Sequence, residues 1–147
     1  MGYLHTAAIV LHIVFAGAWF GLAIGLSILT REAIKAESRG AAVASIALTK
    51  SMTASAALFV VFALTNFGLG AAIQGMGVYG WPYHAAIVLG IVLLGIQVGV
   101  VRPGVHTMRS NLGTPVGRNA RSKVGMALGA GHALWFGMLL LMYVQRV

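Results

Sequence analysis

Read from its N-terminus, the chain alternates between long apolar runs and short polar ones. The first run, His5 to Gly25 (HTAAIVLHIVFAGAWFGLAIG), carries no charge and is long enough to cross a hydrocarbon core of ~30 Å as a helix. Three similar runs follow. Together they predict spans over about residues 3–30, 52–73, 84–101 and 124–143. No basic residue precedes the first run and no small-residue cleavage site follows it, so it reads as a span and not as a removed signal peptide.

The polar stretches between spans differ in kind. Residues 31–50 hold Arg31, Lys35, Arg39 and Lys50 with both acids of the chain, Glu32 and Glu37. The alanine-rich part of this stretch, AAVASIALTK, is compatible with a helix and leaves open an early start to the second crossing. Residues 102–123 hold Arg102, Arg109, Arg118, Arg121 and Lys123, with the turn formers Pro103, Gly104, Pro115 and Gly117. The stretch between the second and third spans, GMGVYGWP, is uncharged, and its Tyr79 and Trp81, with Tyr83 just beyond, suit a membrane interface. An excess of Lys and Arg marks cytoplasmic connections. The predicted fold is therefore an all-α four-helix transmembrane bundle forming one domain over residues 1–147, with both termini and the aromatic turn on the non-cytoplasmic side.

Composition sharpens this. Of 147 residues, 59% are hydrophobic and 8% charged, with a mean hydropathy of +0.91, which is far from a soluble domain. The net charge of +8 would suggest nucleic acid in a soluble protein. Here the basic residues are topology markers with a role at anionic lipid, and no recognition motif for nucleic acid accompanies them. An inner membrane of a bacterium is the expected location. With no cysteine, thiolate metal sites, covalent haem attachment and disulfides are excluded.

No Asp, Glu, Lys or Arg falls well inside a predicted span, so a carboxylate proton relay is absent and histidine becomes the chemistry to consider. Residues seven apart share a helix face, so His5, His12, Trp19 and Leu26 form one stripe, with Gly17, Gly21 and Gly25 roughly opposite. Counting ~1.5 Å of rise per residue, His12 and His132 both lie near mid-membrane, and His5 and His84 both lie near the outer surface. That predicts a central pair and an outer pair. Two histidines on different helices, with glycines such as Gly125 and Gly129 near them, are a way to hold haem b in a bundle. Each histidine has a plainer use as a hydrogen-bonding group at a helix interface, and the glycines have one in helix packing.

Trp19, Trp135 and Phe136 are candidate apolar walls for such a cofactor, and Met138 and Met142 are further thioether donors. Asn66 and Gln97 are expected to bond across helices, with a quinone or a haem propionate as the other use. His106 sits in a basic connection. The triplet Trp19-Phe20-Gly21 recurs as Trp135-Phe136-Gly137, which reads as two helices meeting similar packing demands.

The stretch LHIVFAGAWFGL, with His12 seven residues before Trp19, resembles the first helix of the membrane protoporphyrinogen oxidase and copper resistance protein D superfamily. Gly80-Trp81 at the start of the third span is also similar. The resemblance implies that His12 is a haem ligand. The oxidases carry a functional lysine four residues after that Trp, where this chain has Ala85, so haem binding is implied more than porphyrinogen oxidation.

The expectation is a haem b-binding membrane protein, holding one or two haems, that transfers electrons or supports haem-dependent oxidoreductase chemistry. The ligands would be His12 with His132 and His5 with His84. Two rivals stay open: a non-catalytic subunit that packs within a larger respiratory or photosynthetic complex, and a copper transporter, against which sparse methionines and the lack of cysteine count. The glycine stripe of the first span suits a homodimer or such a complex.

Overall fold

The computed structural model describes residues 2–144. All of its regular structure is helical, and four helices are long and apolar enough to cross a membrane. Helix α1 runs over Gly2–Lys35 and α2 over Arg39–Gln74. A single 3-10 turn, Met76–Val78, leads to α3 at Trp81–Ile96. A π-helical turn, Gln97–Val101, joins α3 without a break to α4 at Arg102–Ser110, and α5 spans Pro115–Val144. Gln145 and Arg146, where the fourth span was expected to end, lie outside the described residues.

The two basic stretches are therefore mostly helix and not loop. The reason is visible in their composition: alanine-rich AAVASIALTK has high helix propensity and nothing inside it to end a helix, so α2 begins at Arg39 instead of near residue 52. The real turns are residues 36–38 and 111–114. At the first, Glu37 takes a positive φ of 49° and the Ser38 side chain accepts the Ala41 N–H at 3.2 Å. At the second, Gly113 has φ +82° and the Thr114 hydroxyl accepts the Gly117 N–H at 3.2 Å, with Pro115 opening α5 where its missing N–H costs nothing.

Pro103 also proves not to end the third span. It lacks the N–H that would bond the carbonyl of Gly99, and its ring crowds that carbonyl. The helix widens instead: the Arg102 N–H bonds the Gln97 carbonyl five residues back, and the chain continues as α4.

The long helices close a ring in which α1 packs on α2, α2 on α3, α3 on α5 and α5 on α1, while α4 lies against α2 and α5. The Glu37 carboxylate rests close to Gly113, so both basic turns share one end of the bundle. At the other end Tyr79 of the aromatic turn and His5 near the N-terminus both approach Gly70. Trp19, Leu26, Met52, Phe59, Leu93, Val105, Val124 and Met138 fill the space between. Buried hydroxyls add no unmet polarity, because Thr30, Ser45 and Thr49 each donate to the carbonyl four residues back.

The glycines that permit this packing are mostly not those in the conspicuous four-residue spacing. Gly17, Gly21, Gly95, Gly99 and Gly129 have nothing near the position of a Cβ, and of the first-span stripe only Gly25 meets a neighbour, the Leu48 side chain at 3.3 Å. Close approach also occurs at Gly131, where a Cβ would lie 2.8 Å from the Trp19 ring, and at Gly90, 3.3 Å from the Phe59 ring. Gly131→Ala is expected to cost roughly 1–3 kcal/mol by overpacking. Gly129→Ala should be neutral or slightly stabilising. Thermal unfolding of both variants in the same detergent checks the contrast; equal midpoints would remove Gly131 as the contact that sets the α1–α5 distance.

Candidate functional site

A cavity of about 290 Å³ lies at the aromatic end, between α1, α2 and α3 with Met142 of α5 at its edge. It is built on His12. The stripe His5, His12, Trp19 and Leu26 does turn inward, since His12, Trp19 and Leu26 are buried and His5 is partly so. His12 stacks on Phe59 of α2, with centroids 4.6 Å apart and planes at 22°. Its Nδ1 lies 3.1 Å from the Phe59 carbonyl oxygen. A carbonyl can only accept, so Nδ1 carries the proton and Nε2 keeps its lone pair. One contact thus fixes both the plane of the ring and its tautomer.

The cavity wall combines apolar surface from Ile9, Phe59 and Ile87 with polar groups from His5, Asn66 and Tyr79. Asn66 lines this wall, and its Oδ1, buried behind it, has no hydrogen-bond partner among the described residues. At the mouth, the Tyr79 hydroxyl lies against the bare Cα of Gly70, and His5 Nε2 would be 3.2 Å from a Cβ there. Tyr79 is edge-on to Tyr83 at 4.8 Å and tilted on Phe67 at 4.9 Å. Burial, then the neighbouring Tyr83 phenol, raises the Tyr79 pKa above the ordinary phenol value, so its hydroxyl remains a donor across the physiological range.

Among the described residues no ring contact or hydrogen bond joins His12 to His132 or His5 to His84. His132 packs against Trp19 at 5.7 Å and edge-on to Phe20 at 4.9 Å. Trp19 is two helical turns from His12, which sets His132 roughly 10 Å deeper along the bundle. Its Nε2 is buried without a partner, as is the Trp19 Nε1. His84 is exposed, folds its Nδ1 back toward the Gly80 carbonyl at 3.2 Å, and lies edge-on to Phe67, outside the cavity wall. His5 and His12, on one face of α1, are the two histidines that share a cavity. His106 is exposed at the basic end.

The other candidates divide as follows. Trp135 donates its indole N–H to the Ala16 carbonyl at 3.2 Å and contacts Phe20 at 4.7 Å, so the repeated Trp-Phe-Gly triplets meet at the α1–α5 contact. They are not equivalent, because Trp19 is buried while Trp135 is partly so, and Phe20 is partly buried while Phe136 is 53% exposed. Gln97 does bond across helices, from Nε2 to the Thr53 hydroxyl at 3.1 Å. Met142 reaches the cavity edge, and Met138 is packed in the core near Gly90. Phe59, Gly70 and Gly90 had no signal in the sequence that set them apart from other core residues.

No family model, curated protein or solved structure matches this chain. The likeness of the first helix to the oxidase and copper resistance superfamily is therefore carried by its own residues alone.

The seating of Tyr79 on Gly70 has a direct test. A methyl at residue 70 displaces the phenol from the wall, so in Gly70→Ala the Tyr79 pKa should fall back toward the ordinary value. Ultraviolet titration of this variant, with Tyr79→Phe to identify the signal, reads the change. An unaltered titration would mean that the ring is not held there.

Proposed function

We propose that this is a haem b-binding protein of a bacterial inner membrane, with the basic end in the cytoplasm, in which His12 supplies the axial ligand. The observation that carries the reading is the Nδ1–H to Phe59 carbonyl bond, which leaves Nε2 free to bind a metal at a cavity with aromatic and aliphatic walls. A histidine serving only to join helices needs no second functional nitrogen.

The fit to haem can be judged from the same cavity. The donor chemistry suits iron, and the protonated Tyr79 hydroxyl and the Asn66 Nδ2 group are donors that carboxylate side groups would need. At 290 Å³ the space falls just below the usual range of ligand pockets, roughly 300–1,000 Å³, so these walls would enclose part of a macrocycle and the remainder would need room beyond them. One haem with a single strong protein ligand follows from this arrangement more readily than two haems with paired ligands. When bound, the haem iron supplies one-electron redox chemistry. The chain's own part is to orient the His12 ring, hold Nδ1 protonated against Phe59, and keep water from the apolar wall.

The purified protein, prepared with ample haem supply, should show a Soret band that shifts on reduction. His12→Ala should lower haem affinity by on the order of 100-fold or more, while His84→Ala and His106→Ala should retain it. Haem quantified per chain, with helicity as a control for folding, checks this. A colourless and stable protein would overturn the reading in favour of a packing subunit of a larger complex. Copper bound in place of haem, and lost with His12, would overturn it in favour of transport.

A further inference from the structure

At the basic end a second cavity, of about 310 Å³, is walled by Arg39, Ala42 and Val43 from α2 and by Arg109, Ser110 and Leu112 at the end of α4. Two guanidinium-bearing side chains from separate helices face one space with no carboxylate in the wall. Neither arginine makes a side-chain hydrogen bond or ion pair among the described residues, and Glu37, the nearest acid in sequence, rests close to Gly113 instead. Like charges sharing a concave space raise its positive potential and favour an anion there.

The start of α2 adds to that potential. Its first turn holds no acid, and its first residue is Arg39 itself, the unfavourable sign for the positive end of a helix. The Ser38 side chain and carbonyl accept from Ala41 and Ala42, which leaves the N–H groups of Arg39 and Gly40 without a partner inside the helix. Ala42, Val43 and Leu112 add a smaller apolar share to a wall that is mainly polar, with Ser110 beside the two arginines. A free inorganic anion gains nothing from that apolar share, whereas a phosphate carrying a glycerol and acyl chains does.

We propose that this cavity binds the phosphate group of an anionic phospholipid, gripped between the Arg39 and Arg109 guanidinium groups at the start of α2. The shared chemistry is that of a phosphate ester. The lipid, and not a soluble phosphate, is the source, because the cavity lies at the end of the spanning helices, at the level of phospholipid headgroups. Arginine suits the task, since its forked donors match phosphate oxygens two at a time.

The test uses the full chain in mild detergent, titrated with phosphatidylglycerol and read by native mass spectrometry. Arg39→Gln/Arg109→Gln should weaken phosphatidylglycerol retention about tenfold or more, as expected for loss of two charge-assisted contacts. Arg31→Gln/Lys123→Gln removes the same net charge from exposed positions elsewhere and should retain the lipid within about twofold. Equal loss in both double variants, or no loss in the first, overturns the proposal in favour of diffuse attraction. Displacement of the lipid by millimolar inorganic phosphate, with phosphate itself retained by the unmodified chain, overturns the lipid assignment in favour of a soluble anion. If the first double variant does not fold, Arg109→Lys keeps the charge and removes the fork; retention unchanged from the unmodified chain would then count against the site.

Discussion

The close approach of α1 to α5 at Trp19 and Gly131 is the contact on which the rest of the bundle depends. In lipid there is no gain from hiding apolar surface between helices, because acyl chains solvate leucine as well as another leucine does. No more than 28% of any spanning window is buried here, so the bundle is held by a few well-shaped contacts. Trp19 fits because residue 131 has no side chain, and Phe20 then reaches Trp135 and His132 beside it. The ring of helices closes at this joint. With α5 drawn onto α1 at mid-depth, the aromatic end is left less filled, and the space there becomes the cavity beside His12.

Polar groups inside the bundle follow the same economy. Buried hydroxyls return their protons to their own helices, and Gln97 spends its amide N–H on Thr53. What remains unmet is therefore informative. Among the described residues, Asn66 in the outer cavity's wall, Trp19, Gln97 and His132 each keep a buried atom without a partner. A buried polar atom left unbonded costs about 1–3 kcal/mol, so such atoms are tolerated where an occupant or a tightly packed ring accounts for them. Asn66 belongs to the first case by its place in a cavity wall, and Trp19 to the second by its seat on Gly131.

The number of spans and their apolar character were legible in the sequence because crossing a membrane constrains every residue of a run at once. Helix ends were less so. Basic residues at 31–50 suggested a loop, yet charge does not prevent a helix, and the alanines decided it. Pro103 suggested a stop, yet a π-turn absorbs it, with the Arg102 N–H bonding the Gln97 carbonyl. The stripe of His5, His12, Trp19 and Leu26 was legible because a heptad spacing fixes one face. Which histidines meet was not, since depth alone says nothing about the rotation of each helix about its axis. His84 turned out toward Phe67, and His132 turned toward the tryptophan. Close-packing glycines were equally hidden, because Gly131 matters through a ring contributed by residue 19, far away in sequence.

The two cavities divide the molecule's chemistry by end. At the aromatic end the wall is apolar with a neutral nitrogen donor and a phenol that holds its proton, an environment that suits a polarisable, hydrophobic ligand. At the basic end unpaired guanidinium groups suit a hard anion. The shared helices are α1 and α2, whose contact is the most extensive in the bundle and carries the His12–Phe59 bond near one end and the Ser38 turn at the other. α2 runs without interruption from Arg39 to Gln74, so one helix contributes to both walls, Arg39 to one and Phe59 with Asn66 to the other.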